Sequence, residues 1–197
     1  IPINAKVILI GNPYIYYMLH AYDEDSRELF KVKADFDSRM ERNRENIDKY
    51  AMYTAQCQKE ENLLPFDNTA VARLVEMGSR FAEHQDKLST KFSVIADLIR
   101  EAHYWAKKDG NDAVSAEHVS MAVREKIFRV NRIEERLREM MLEDTLIVNT
   151  SGAATGQVNG LAVLDVGDYS FGKPSRITAK TYAGRAGVVN LERETKM

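Results

Sequence analysis

A chain of 197 residues, 44% hydrophobic and 29% charged, is long enough for one substantial core or two small ones and needs no covalent staples to fold. A formal charge of −2 and a pI near 6.2 provide no basic field for nucleic acid, and the single cysteine excludes an internal disulfide framework and any cysteine-based metal cluster. No apolar run reaches the roughly 18 residues of a membrane-spanning helix and the N-terminus has no signal-peptide pattern, so the expected compartment is the reducing cytoplasm.

In chain order, KVILIG at 6–11 is a short continuous apolar run closed by Gly11, Asn12 and Pro13, the pattern of a parallel strand buried on both faces. FKVKADF at 30–36 predicts a second strand, and the residues between the two have room for one or two short helices with Pro13 in a first turn. Strand, helix, strand at this spacing predicts the edge of an α/β sheet.

From 41 to 143 the apolar residues recur at helical period. Ile47, Tyr50, Ala51, Thr54 and Cys57 form one stripe, and Val71, Leu74, Val75, Gly78 and Phe81 the next. Asp67, Ser89 and Ser115 are candidate N-caps, and Gly110 is a helix stop. The run starting at Ala116 predicts one helix of some 28 residues, charged in its second half, with Glu134 and Arg138 as an i,i+4 pair. Such a helix reads as a connector. After Asp144, TLIVNT, GQVNGLAVLDV, SRITAKTYAG and VVNLERE are β-branched runs separated by glycine turns, which predicts a mainly β unit.

Chemical motifs are nearly absent. GDYSFGKPS at 167–175 has the frame of a phosphate-binding loop, but Pro174 stands where Ser or Thr should hold Mg²⁺, and a β-type run follows where the mechanism needs a helix. It reads as a strand-to-strand loop with aromatic packing by Tyr169 and Phe171. No serine sits in a nucleophile elbow. His20, His84, His103 and His118 lack metal-ligand spacing and read as satisfied histidines, Cys57 on its apolar stripe reads as core, and Tyr14, Tyr16, Tyr17 and Tyr22 read as packing. These residues contain no complete catalytic constellation and no metal site.

GQVNGLAVLDVGDYSFGKPSRITAK resembles the opening of the proteolytic domain of Lon-type ATP-dependent proteases. ILIGN, ending in Asn12, resembles the sensor-1 strand of an AAA+ ATPase, and 41–143 resembles its helical lid. KVILIGN, RELFKVKADFD, LIREAHYW and GKPSRITAK are most similar to the LonB-like branch of bacterial Lon-related proteases, and the resemblance spans essentially the whole chain. It implies an α+β, mostly helical fold: a remnant of the AAA+ α/β sheet at 1–40, the lid with its connector helix at 41–143, and the β-rich start of a Lon proteolytic domain at 144–197. In that family the Walker motifs precede such a segment and a catalytic Ser-Lys dyad follows it. Both ends of the chain look cut, which fits an excerpt.

The function implied is that of an ATP-dependent serine endopeptidase, a homohexamer using ATP and Mg²⁺ to unfold and degrade protein substrates, with no membrane or nucleic-acid partner. The excerpt itself is expected to be inert and to bind no cofactor strongly. Three positions carry over to nucleotide. Asn12 either orients the water that attacks the γ-phosphate or only forms a turn before Pro13. Arg27 either is the arginine finger offered to a neighbouring subunit or is a solvated arginine paired with Asp23 or Glu24. In a register anchored on LIREA, the sensor-2 arginine of the family falls on Ser93, leaving Lys91 as the nearest cation; a lysine supplies charge without a bidentate fork. The rival reading, which the residues alone leave open, is a non-catalytic helical and β scaffold that recruits partners.

Overall fold

The computed structural model describes residues 5–167, 169–184 and 187–190. It is α+β and about half helical. Two short helices come first, α1 (Pro13–Tyr22) and α2 (Glu24–Leu29). Asn12 caps α1 by accepting from the Tyr14 amide at 2.8 Å, and Asp23 caps α2 by accepting from Asp25 and Ser26. Neither helix buries a residue.

The expected strands at 6–11 and 30–36 are not formed. Neither segment has a ladder partner among the described residues, and Ile10 is 95% exposed. A strand of the parallel, doubly covered kind needs neighbours on both edges and layers on both faces, and no described residue supplies them. Apolar composition marks such a strand, but its formation depends on partners elsewhere in sequence.

The bundle comprises β1 (Arg39–Glu41), α3 (Arg44–Glu60), α4 (Asn68–Phe81), β2 (Lys87–Ser89), α5 (Phe92–Lys108) and α6 (Ala116–Val130). Its core gathers Tyr50, Leu74, Leu88, Ile95, Ile99, Val114 and Val119, each essentially inaccessible to water. At about 1.5–3 kcal/mol per fully buried large side chain, this one cluster dominates what holds the helices together. The helical stripes point inward as expected from α3 and α4, except that Phe81 stays 38% exposed at the end of its helix. Cys57 is buried in the core.

The caps follow local chemistry. Asp67 accepts from the Ala70 amide at 2.8 Å and from the Thr69 hydroxyl at 2.6 Å. Ser115 starts α6 in a capping box whose return partner is His118, with Nδ1 accepting from the Ser115 amide at 3.0 Å. Gly110, at φ +73°, stands just past the end of α5. The expected cap Ser89 is displaced: it belongs to β2, α5 begins at Phe92, and Lys91 occupies the cap position. The cause is the antiparallel pairing of β2 with β1, where Leu88 faces Met40 across 48 positions of sequence.

Two further expectations are corrected. The long helix is interrupted at Asn131, where α6 ends and α7 (Arg132–Leu142) begins. Asparagine is a weak helix former, and its φ of −83° and ψ of 10° lie off the helical basin. TLIVNT forms no strand, and the β unit is one antiparallel hairpin, β3 (Gln157–Asp165) with β4 (Ser170–Thr178). Ser170–Ser175 of GDYSFGKPS therefore lies within β4, so most of the expected loop is strand. Residues 187–190 are not in a strand, and the rest of VVNLERE lies outside the described residues. No helix among the described residues is long and apolar enough to cross a membrane.

Candidate functional site

The three nucleotide candidates occupy the starts or ends of short structural units. Asn12 stands at the N-terminus of α1 because Pro13 fixes the first helical φ and lacks an N–H that would need a partner. Its Oδ1 is committed to the Tyr14 amide, while its Nδ2 has no acceptor among the described residues. Arg27 is exposed in the last turn of α2 and pairs with neither Asp23 nor Glu24. Lys91 is exposed ahead of α5, its amide donating to Ser89 Oγ at 3.2 Å and its ammonium group without a partner among the described residues. Ser93, the second residue of the same helix, is exposed.

No hydrogen bond or ion pair joins any of the three to another. A shallow concavity of about 250 Å³ beside Asn149, Gln157 and Arg176 and another of about 430 Å³ beside Asp97, Arg100 and Arg129 are both lined without Asn12, Arg27 or Lys91. The candidates thus stand as three outward donors, not as an assembled pocket. The phosphate-loop frame is likewise unassembled: Lys173 lies within β4 opposite Ala162 and Pro174 opposite Leu161, with no helix following.

Three of the four histidines are satisfied locally, while His20 is exposed on α1 beside the Tyr16 ring and has no hydrogen-bond partner among the described residues. His103 accepts from the Leu64 amide at 3.0 Å, His84 from the Asp86 amide at 3.1 Å, and His118 completes the cap of α6. Among the described residues no three His, Cys, Asp or Glu side chains gather as metal ligands do.

Two arrangements escaped sequence reasoning. Lys33 Nζ sits 4.7 and 4.6 Å from the ring centres of Tyr16 and Tyr17 and bonds Asp35 at 2.9 Å, which ties the segment after α2 back onto α1. Asp35 and Tyr17 hold the Lys33 ammonium above its usual range. Glu134, expected to pair with Arg138, instead accepts a 2.5 Å hydrogen bond from the Tyr169 hydroxyl. Helical spacing suggested the first partner; the second lies 35 residues away and leaves no local trace.

Residues 1–37 match the family model described as the LonB-like AAA domain, and residues 65–129 match the one described as the archaeal LonB AAA+ ATPase lid domain. The second match covers α4, α5 and nearly all of α6. Both matched segments are thus similar to LonB-like Lon proteases, in the order AAA domain and then lid. Relatives of the chain include an archaeal Lon protease of Archaeoglobus fulgidus, 29% identical over 168 residues, covering 83% of this chain and 26% of the relative. A Lon protease homolog of Haemophilus influenzae is 25% identical over 198 residues, covering 99% of this chain and 32% of the relative. One from Escherichia coli is 22% identical over 201 residues, covering 100% and 33%. This LonB-like chain thus spans a third or less of the length of these relatives.

Proposed function

We propose that this LonB-like chain is the middle of an ATP-dependent serine endopeptidase, carrying the end of the motor's α/β part (1–40), its lid (41–143) and the first strands of the peptidase (144–197). The order of the family matches supports this reading most directly: an AAA segment at 1–37 followed by a lid at 65–129, where the helical bundle lies. The hairpin after the bundle is what the start of a β-rich peptidase would supply.

ATP with Mg²⁺ would supply the driving free energy in the longer protein, and the outward donors of this chain suit its phosphates. Asn12 can cap α1 through Oδ1 while Nδ2 orients a water, so the two roles first set against each other are compatible on one carboxamide. Arg27, exposed on α2 without a partner among the described residues, would be offered to a neighbouring subunit of a homohexamer, where a planar, permanently charged fork stabilises phosphate oxygens. Lys91 brings charge to the lid at the N-terminal end of α5, which no side chain caps and where the helix dipole is positive. Peptide-bond cleavage would fall to a Ser-Lys pair that this chain does not carry, acting on unfolded protein in the cytoplasm.

The decisive experiment uses the longer protein with Arg27→Ala. Trans contributions of this kind are worth about 10³-fold or more in hydrolysis rate. ATP turnover should fall by that order and ATP-dependent degradation of an unfolded protein should cease while the ring still assembles. Unchanged ATP hydrolysis removes Arg27 from the site.

A further inference from the structure

We propose that α7 and the β3–β4 hairpin form one mechanical unit, latched by Tyr169 on Glu134 with Phe171 as its apolar anchor, and that this unit pivots on the helical bundle at Asn131. The division starts from burial. α6 belongs to the bundle, because Val119 and Ala122 lie in its core. Beyond Ala122 no described residue is buried until Phe171, which is 6% exposed. α7 itself buries nothing, so no core contact fixes it to the bundle.

The contacts beyond Asn131 point the other way, from hairpin to α7. The turn is preset by Gly167 donating to Asp165 Oδ1 at 2.9 Å and by the Val166 amide donating to the Tyr169 carbonyl at 2.9 Å. This holds Tyr169 against the first turn of α7. There its hydroxyl donates to Glu134 Oε2 at 2.5 Å, and its ring stacks on Phe171 with centres 5.8 Å apart. A hydrogen bond to a charged, partly buried acceptor is among the stronger side-chain links, and the adjacent stack shields it from water. The aromatic residues of the false phosphate loop thereby acquire a purpose: they are the hairpin's grip on the helix. On the other side, Asn131 bridges α6 and α7 with off-helix dihedrals. Its own amide donates to the Ile127 carbonyl at 2.9 Å and its side chain reaches Glu135 at 3.3 Å. A pivot beside a latch lets motion of the bundle change its angle to the hairpin without distorting the hairpin. The use of that motion to couple motor and peptidase rests on the function proposed above; the latch and the pivot do not.

The test uses the 197-residue chain. The lone cysteine is buried, so cysteines introduced at Lys107, Arg138 and Arg176, all exposed, can carry spin labels in pairs. The distance distribution between 138 and 176 should be narrow and that between 107 and 138 broad. Tyr169→Phe and Glu134→Gln should each broaden the first and raise amide exchange in β3–β4 about tenfold, the double variant no more than either, with bundle amides unchanged. A 107–138 distribution as narrow as the other removes the pivot; exchange unmoved by Tyr169→Phe, or additive effects, removes the latch. In the longer protein Tyr169→Phe should lower ATP-stimulated cleavage severalfold at unchanged ATP turnover. If the unsubstituted longer protein neither hydrolyses ATP nor cleaves polypeptide, the motor reading falls while distances and exchange still decide the latch.

Discussion

Tyr50 of α3 lies so close over Gly78 of α4 that a Cβ on the glycine would stand 2.7 Å from its ring and hydroxyl. The same hydroxyl donates to the Ser89 carbonyl of β2. One side chain thus sets the separation of two helices and fixes the strand pair against them. Gly78→Ala gains up to about 1 kcal/mol of helix propensity but forces a rigid buried ring to move, and overpacking of that kind costs about 1–3 kcal/mol. The expected result is a net loss of stability in urea melts that Tyr50→Phe does not rescue, because ring Cε1 would stand at the same 2.7 Å as the hydroxyl.

The phenols predict an alkaline weakness. Burial pushes Tyr50 up to about 12, burial and Cys57 do the same to Tyr53, and the bond to Glu134 followed by desolvation raises Tyr169 to about 12. These groups are raised in the folded state, so what they contribute is fully present below their ordinary value near 10 and is lost as pH climbs from there toward 12. Absorbance titration of the nine tyrosines should show a late-ionising fraction. Glu134→Gln should return Tyr169 toward 10, and a titration unchanged by that substitution would contradict the bond.

Asp67 gives the opposite sign at the acid end. Its carboxylate is held below the ordinary range by the Thr69 hydroxyl and then the Ala70 amide. A depressed carboxylate contributes above its unfolded value and loses that contribution as pH falls through the folded one. Asp67→Ala should cost about 1 kcal/mol at neutral pH, the usual worth of an N-cap. The deficit should shrink in melts below pH 4. A deficit independent of pH would mean that the cap acts through shape alone.

Local chemistry made the bundle legible. The stripes through Tyr50, Thr54 and Cys57 and through Leu74, Val75 and Gly78 face the core, and Asp67, Ser115 and Gly110 punctuate the helices where their side chains and φ preferences place them. The misreadings share one cause, a partner distant in sequence. Ser89 looks like a helix cap until β1 pairs with β2; Glu134 looks like half of a helical ion pair until Tyr169 reaches it; KVILIG looks like a core strand, yet a strand is made by its neighbours. At the candidate site Asn12, Arg27 and Lys91 were legible as donors, but hydrogen-bonding capacity is local whereas a pocket is not.

Lys91 offers a test that separates stability from ligand chemistry. It precedes α5, where the aligned peptide dipoles of a 17-residue helix leave a partial positive charge, and no carboxylate among the described residues pairs with it. A cation there opposes the dipole, so the residue costs the fold something where it stands. Lys91→Asp reverses that sign and should raise stability by about 1 kcal/mol, read as a higher urea midpoint that narrows with added salt. If the lid end of α5 faces phosphates in the longer protein, the same substitution should weaken ATP binding by tenfold or more, because one charge of attraction becomes one of repulsion. Greater stability with unchanged nucleotide affinity would leave Lys91 as an ordinary surface lysine and move the lid's contact with nucleotide elsewhere on the helix.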